Sequence, residues 1–203
     1  MNVKDSIRKR LNKSFAIISL VCSIGLVICG ISLFAISSQY HNALTNYGFA
    51  QGDIGKAMTT FSETRSALRA VIGYDDESEI NSEKKNYETK KKAFEGFMQD
   101  IESKMMTKAG KEAYQQAESA LNGYWTKADA ILQQGSTTDK IASSAAQHKE
   151  IDELGPMYDE IYASLKNIMD IKVAKGNSVQ GTLNVVKYLS LIHISEPTRR
   201  VVI

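Results

Sequence analysis

The sequence has little proline, cysteine and histidine: its 203 residues include 2 Pro, 2 Cys and 3 His. Two cysteines cannot form a disulfide framework, and three scattered histidines give no metal-ligand spacing. The scarcity of proline, together with only 13 Gly, argues against a collagen-like chain and against an all-β fold rich in turns. A net charge of +2 gives no reason to expect nucleic-acid binding, which needs a concentrated basic surface.

Catalytic motifs are also missing. The sequence contains no H-E-x-x-H, no Walker loop, no G-x-G-x-x-G after a strand, no C-x-x-C and no nucleophile elbow. Its many carboxylates fall on the polar faces of predicted helices. We therefore expect that this chain is not an enzyme and that it binds no cofactor and no metal.

One long uncharged stretch dominates the N-terminal region. Residues 15–36 read FAIISLVCSIGLVICGISLFAI, which is 22 residues without a charged side chain. As a helix this stretch is about 33 Å long, enough to cross a hydrocarbon core of roughly 30 Å. A cleaved signal peptide has a shorter apolar region and a small-residue cleavage site, which residues 33–36 lack. The sequence therefore predicts a transmembrane helix over residues 15–36.

The charges beside this stretch predict its orientation. Five Lys or Arg residues and one acidic residue precede it, whereas the first Lys or Arg after it is Lys56. Lys and Arg accumulate on the cytoplasmic side of membrane proteins. We expect residues 1–14 to form a cytoplasmic basic head and residues 37–188 to be extracytoplasmic.

The last fifteen residues differ from the polar, helical sequence before them. Residues 189–199, LSLIHISEPTR, resemble one reading frame of the transposase adaptor used in short-read DNA sequencing. The alternatives are an irregular native tail or the start of a second span. We expect residues 189–203 to be non-native, with no function, and the natural protein to continue beyond Tyr188 into a second span.

Residues 40–187 show the 3.5-residue apolar repeat of packed helices. Four runs with alternating spacings of four and three begin at Tyr40, Ile80, Tyr114 and Leu154, and they end near Ile72, Met105, Ile131 and Val186. Four amphipathic helices joined by short connections predict an antiparallel four-helix bundle. The fold class is therefore all-α, a membrane-anchored four-helix bundle over residues 37–188.

Turn residues predict where these helices begin and end. Gly73 and Gly135 are expected stops, and Gly110 is an expected break. Asp76 with Glu79 has the pattern of a capping box for the second helix. The hydroxyl residues 136–138 can cap the next helix, and Gly155-Pro156 is expected either to kink the fourth helix or to begin it.

These features together resemble the sensory domain of bacterial chemoreceptors, the methyl-accepting chemotaxis proteins. Three stretches carry the likeness: ETRSALRAVI at 63–72, NGYWTKADAILQQG at 122–135 and ELGPMYDEIYASLKNIMDIKVAKGN at 153–177. The resemblance implies a homodimer in the bacterial cell membrane. It also implies a small extracellular ligand, or a ligand-loaded binding protein, and a cytoplasmic signalling region that this chain lacks.

Arg65 and Arg69 are the candidate ligand-binding residues. Arg65 interrupts the apolar repeat of the first bundle helix, and Arg69 lies one turn further along, on the same face. Such a pair can hold a carboxylate through bidentate hydrogen bonds. The resemblance implies the same role, because arginines of the first helix bind the ligand's carboxylates in amino-acid receptors of this family. The alternative is that both arginines snorkel or pair with Glu63 or with a facing acid.

Other polar and aromatic positions have two interpretations. Gln51 interrupts the apolar repeat and favours a role in register or in dimer pairing. The aromatic residues at 124, 125, 158 and 162 favour a core position over a ligand pocket. The lysines at 84, 85 and 90–92 favour a solvated helix face.

The sequence therefore predicts the ligand-sensing and signalling part of a chemotaxis receptor. One alternative is the sensory module of a histidine kinase or another signalling enzyme. A second alternative is a single-span structural or adhesion protein, for which no ligand would stabilise the bundle.

Overall fold

A computed structural model describes residues 3–199, and all its regular elements are helical. In chain order they are α1 (Val3–Ala43), a first π-helical turn (Leu44–Gly48), α2 (Phe49–Gly73), α3 (Glu77–Ser103), α4 (Lys108–Gly135), α5 (Lys140–Lys149), a second π-helical turn (Glu150–Leu154) and α6 (Gly155–Arg199). The predicted all-α fold class is confirmed.

The chain forms two compact units. One contains residues 43–182, and the other combines α1 as far as residue 42 with the described part of the segment after residue 182. In α1 the uncharged stretch exposes its large apolar side chains, with Leu26 at 74% and Phe34 at 78% of full exposure. By length and composition α1 is suited to cross a membrane.

The unit of residues 43–182 is the predicted four-helix bundle. Its helices are α2, α3, α4 and the continuous run formed by α5, the second π-helical turn and the first part of α6. Short turns at residues 74–76, 104–107 and 136–139 join them. Connections this short favour antiparallel neighbours.

The apolar repeat predicted the bundle core well. All six predicted core positions of α4 are buried, whereas Tyr40, the first position of the first run, is 58% exposed. Fully buried large side chains include Phe61, Tyr87, Phe94, Ile101, Tyr124, Leu154, Ile161 and Leu165. The helices pack through one continuous apolar core because a 3.5-residue repeat keeps these side chains on one face.

Two of the predicted helix ends are confirmed by their backbone contacts. α2 ends at Gly73, and the backbone N–H of Tyr74 donates to the carbonyl of Ala70. Asp76 caps α3, since its carboxylate accepts hydrogen bonds from the backbone N–H groups of Ser78 (2.9 Å) and Glu79 (3.0 Å).

Two other predicted boundaries were wrong. Gly110 is not a break: α4 begins at Lys108 because the Thr107 hydroxyl accepts a hydrogen bond from the Gly110 N–H at 3.1 Å. The hydroxyl residues 136–138 do not cap α5. Asp139 does, accepting from the Ile141 N–H at 2.9 Å.

α6 begins at Gly155, which is one of the two outcomes expected for Gly155-Pro156, but it follows the preceding helical residues without an interruption. The second π-helical turn precedes Gly155, whose N–H donates to the carbonyl of Glu150, five residues back. α5 and α6 therefore form one run through the proline, which has no N–H to offer the ladder. This run includes residues 189–199. Helical geometry does not distinguish native from adaptor-derived sequence, so a non-native tail stays a prediction.

At the end of the bundle that contains the 74–76 and 136–139 turns, the side chains of Ile72 and Ala146 pack directly against Gly135. A Cβ atom added to Gly135 would lie 2.4 Å from Cγ2 of Ile72 and 2.8 Å from Cβ of Ala146. Beside it, the hydroxyl of Ser143 and the amide of Gln147 both donate to the carbonyl oxygen of Ile72, at 2.5 and 2.7 Å. These bonds satisfy a carbonyl in the last turn of α2.

Candidate functional site

Arg65 and Arg69 of α2 converge on one carboxylate of the same chain. The Nε atom of Arg65 donates a 2.7 Å hydrogen bond to Oε1 of Glu150, and the Nε atom of Arg69 lies 2.9 Å from the same oxygen. Of the partners that the sequence left open, the structure thus shows a facing glutamate. Binding of an external ligand by this pair stays a prediction.

The three charged side chains differ in their access to solvent. The side chain of Glu150 is 2% exposed and that of Arg65 is 14% exposed, whereas that of Arg69 is 52% exposed. One carboxylate faces two guanidinium groups, so the cluster has one excess positive charge. A guanidinium has five N–H donors, and Arg69 approaches Glu150 only through its Nε atom, which leaves donors at the surface of the bundle.

Tyr158 of α6 fixes the guanidinium of Arg65 from another side. The Cζ atom of Arg65 lies 4.4 Å from the centre of the Tyr158 ring, within the range of a cation–π contact. The Tyr158 hydroxyl is 2.6 Å from the hydroxyl of Ser62, one turn below Arg65 on α2. The arginine, the serine and the tyrosine together join α2 to α6.

The second π-helical turn brings Glu150 to this site. The 4,3 repeat of α6, continued backwards from Leu154, would turn Ile151 inward. The π-helical turn changes the phase of the repeat, so Glu150 is buried and Ile151 is 59% exposed. Glu150 was therefore not predicted from the sequence. If the repeat continued unchanged, Ile151 would face the core and the glutamate beside it would lie on the surface.

Below the charged cluster lies an aromatic core. The Phe61 ring stacks on the Tyr158 ring with centroids 5.0 Å apart, and it also contacts Tyr124 and Trp125 at 5.0 and 5.8 Å. Burial raises the pKa of Tyr124 well above its ordinary value, and the nearby Arg65 guanidinium opposes this shift. These contacts confirm the core interpretation of the aromatic residues at 124, 125 and 158, whereas it was wrong for Tyr162, which is 38% exposed.

The remaining candidate residues lie outside this cluster. Gln51 is partly buried, and its Nε2 atom would lie 3.8 Å from a Cβ added to Gly176 of α6. Lys90 pairs with Glu63 at 2.7 Å, and Lys91 pairs with Asp129 at 2.8 Å. Among the described residues no cluster of His, Cys, Asp and Glu is arranged to hold a metal ion.

The comparison with known families agrees with the four-helix architecture. The chain matches the family described as a four helix bundle sensory module for signal transduction, over residues 2–184. The chain belongs to this family. No curated protein and no solved structure matches it. The matched range ends before the segment that resembles an adaptor.

Membership in the sensory-module family defines the class of function. The bundle of residues 43–182 is a sensory module for signal transduction, and the family is non-catalytic. The arginine–glutamate cluster therefore belongs to a module that responds to a signal. The family does not specify the type of receptor.

Proposed function

We propose that this chain is the extracytoplasmic ligand-sensing and transmembrane signalling part of a bacterial chemotaxis receptor. The family match over residues 2–184 is the observation that supports this most strongly. The chemoreceptor-like stretches at 63–72 and 153–177 contribute the two sides of the arginine cluster, Arg65 and Arg69 on one side and Tyr158 on the other.

The proposed location is the bacterial cell membrane. The exposed apolar side chains of residues 15–36 suit contact with lipid. The basic residues before this stretch favour a cytoplasmic N-terminus by the positive-inside rule, with residues 37–188 on the other side. A homodimer is proposed on the resemblance to chemoreceptors.

The proposed ligand is a small molecule that carries a carboxylate, either free or delivered by a binding protein. Arg65 and Arg69 retain one excess positive charge after Glu150 is counted, which favours an anion. Arg69 presents its remaining donors to solvent, and planar bidentate binding of a carboxylate is the typical use of such a group.

A chimeric receptor tests the proposed function. Residues 1–188 are joined to the second span and the cytoplasmic domain of a chemoreceptor, and kinase activity is measured in receptor-free bacteria during exposure to a panel of amino acids and organic acids. We expect at least one compound to change kinase activity, and Arg69→Gln to weaken the response at least tenfold. A chimera that is inserted and dimeric but silent to every compound would contradict the proposal.

The same module on a histidine kinase is the competing candidate. The arginine cluster would be unchanged in that case. Cloning the natural locus across the codon for Tyr188 distinguishes the two. A coiled coil with methylation sites supports the receptor, whereas an H-box with a nucleotide-binding domain supports the kinase.

A further inference from the structure

Lys172 of α6 is a buried cation that the sensory site does not use. Its residue exposure is 3%. The ammonium donates to the backbone carbonyl oxygen of Lys104 and, at 3.1 Å, to that of Asn46. It also lies 5.4 Å from the centre of the Tyr47 ring. One side chain of α6 thus contacts two other elements of the bundle.

Both acceptors lie at points where regular α-helical hydrogen bonding is interrupted or ends. Asn46 belongs to the first π-helical turn, and Lys104 is the C-terminal cap of α3. The C-terminus of a helix has partial negative charge, which favours a cation at that point. The Lys172 ammonium therefore joins α6 to the start of α2 and to the end of α3 at the same level of the bundle.

Lys172 has no carboxylate within 4 Å in the part of the chain that the structure describes. Asp53 of α2 instead pairs with Lys104 at 2.5 Å and lies 3.8 Å from Lys56. Burial and the charge of Lys104 lower the pKa of Lys172. Burial of a cation without a counter-ion is unfavourable, and a methionine would fill the same space without that cost.

A second cross-contact joins the same two helices at the level of Arg65. There the arginines of α2 hold Glu150 in the second π-helical turn, which leads into α6. Here the lysine of α6 holds the first π-helical turn, which leads into α2. α2 and α6 are therefore each bound, through a buried charge, to the π-helical turn that precedes the other helix.

We propose that Lys172 is a latch that sets the axial position of α6 against α2 and α3. Charged hydrogen bonds to two carbonyl groups have a narrow distance range, so they specify one position along the helix axis. Apolar contacts between helices tolerate small sliding movements, such as the shifts of about 1–2 Å seen in helical switches. The latch would therefore define one signalling position of α6, and its release would permit others.

Pulsed electron paramagnetic resonance on the full chain in nanodiscs measures this position. Cys22 and Cys29 are replaced by serine, and spin labels are attached after the substitutions Ser66→Cys on α2 and Ala174→Cys on α6, both at exposed positions. The distance between the labels is mainly axial, because the two sites lie on either side of the Arg65 and Lys172 contacts along the bundle.

The latch variants are Lys172→Met and Lys172→Gln, and the control is Lys166→Met. Lys166 lies on the same helix, is 67% exposed and pairs only with Asp170 among the contacts that the structure describes. We expect both latch variants to shift the mean distance by about 1–2 Å or to broaden its distribution by that amount, with the melting temperature of Lys172→Met no lower than that of the control.

Two results would overturn the latch. One is a distribution in either folded Lys172 variant that superimposes on that of the parent chain. The other is an equal shift in Lys166→Met, which would show that any loss of charge on α6 moves the helix. The experiment needs no ligand, so its result tests the latch independently of the proposed receptor function.

Discussion

The Nε atom of Arg65 lies 2.7 Å from Oε1 of Glu150, although 85 residues separate them in the chain. This contact joins the middle of α2 to the turn that leads into α6. The glutamate is buried, and Arg65 is also stacked on Tyr158, so both partners have little access to water. The pair therefore has two consequences, one for stability and one for the charge that the module presents.

The stability of the bundle is expected to depend on Glu150. Glu150→Ala removes the only carboxylate bonded to Arg65 among the described contacts and leaves a largely buried guanidinium without its partner. We expect a loss of roughly 3 kcal/mol in the free energy of unfolding, the lower part of the range for breaking a buried pair, because Arg69 can turn to solvent. Urea denaturation followed by circular dichroism measures it.

Glu153→Ala is the matched control for this prediction. Glu153 lies three residues further along and pairs with Lys127 at 2.8 Å, but both side chains are well exposed. We expect its free energy of unfolding to stay close to that of the parent chain. Equal losses in the two variants would mean that the burial of Glu150 has no energetic consequence.

Gly135 is expected to be irreplaceable, whereas Gly96 is not. A Cβ at Gly135 would overlap Ile72, so Gly135→Ala should destabilise the bundle by about 1–3 kcal/mol. Apart from the adjacent backbone of α3, no atom lies within 4 Å of a Cβ at Gly96, which is an exposed position, so Gly96→Ala should stabilise the bundle by about 0.5–1 kcal/mol. Thermal unfolding of both variants should give melting temperatures on opposite sides of the parent value.

The cap of α5 gives a test of a boundary that sequence reasoning missed. Asp139→Ala removes the side chain that accepts from the Ile141 N–H, and we expect a loss of about 1 kcal/mol. Thr138→Ala, at the neighbouring exposed residue that the sequence suggested as a cap, should change stability much less. The reverse order of the two losses would restore the sequence-based assignment.

Stability is expected to fall between about pH 10 and 12. Burial, with Glu102 and Glu118 nearby, raises the pKa of Tyr114 from 10.0 to about 12. In the unfolded chain this phenol loses its proton first, so its contribution is complete below pH 10 and is lost as the pH rises to 12. Tyr114→Phe should show a shallower fall than the parent chain in urea titrations at these pH values.

Lys172 changes the pH dependence of stability in the opposite direction, so its contribution must be separated from that of Tyr114. Its pKa is lowered in the fold, so the cost of its buried charge is present at lower pH and is relieved as the pH rises towards the unfolded value of 10.5. Comparison of Tyr114→Phe with the parent chain, both in a Lys172→Met background, isolates the phenol. Identical slopes in that background would contradict the assignment to Tyr114.

The apolar repeat predicted most of the core because helix packing depends on one face of each helix. All six predicted positions of α4 are buried, and in α6 the repeat also indicated Lys172, though without a role for it. The sequence did not reveal a second buried column in α2. That column consists of small residues, which have little hydrophobic signal: Ala50, Ala57, Thr60, Thr64 and Ala67.

The sequence predicted the arginines of the charged site but not its glutamate. Arg65 was found because it interrupts an apolar repeat, and Arg69 because it lies one turn further along the same face. Glu150 was missed because the second π-helical turn changes the phase of that repeat, and no residue type marks such a turn in a single sequence. The acceptors of Lys172 are backbone carbonyl groups, so no side chain in the sequence could have indicated them.

The most direct test of the account is a thermal-shift screen of the full chain in nanodiscs against amino acids and small organic acids. Wild type is compared with Arg69→Gln and with Lys85→Gln, which removes one positive charge at an exposed site on α3. We expect at least one carboxylate to raise the melting temperature of wild type and of Lys85→Gln but not that of Arg69→Gln. A shift that persists in Arg69→Gln, or no shift from any acid, would contradict it.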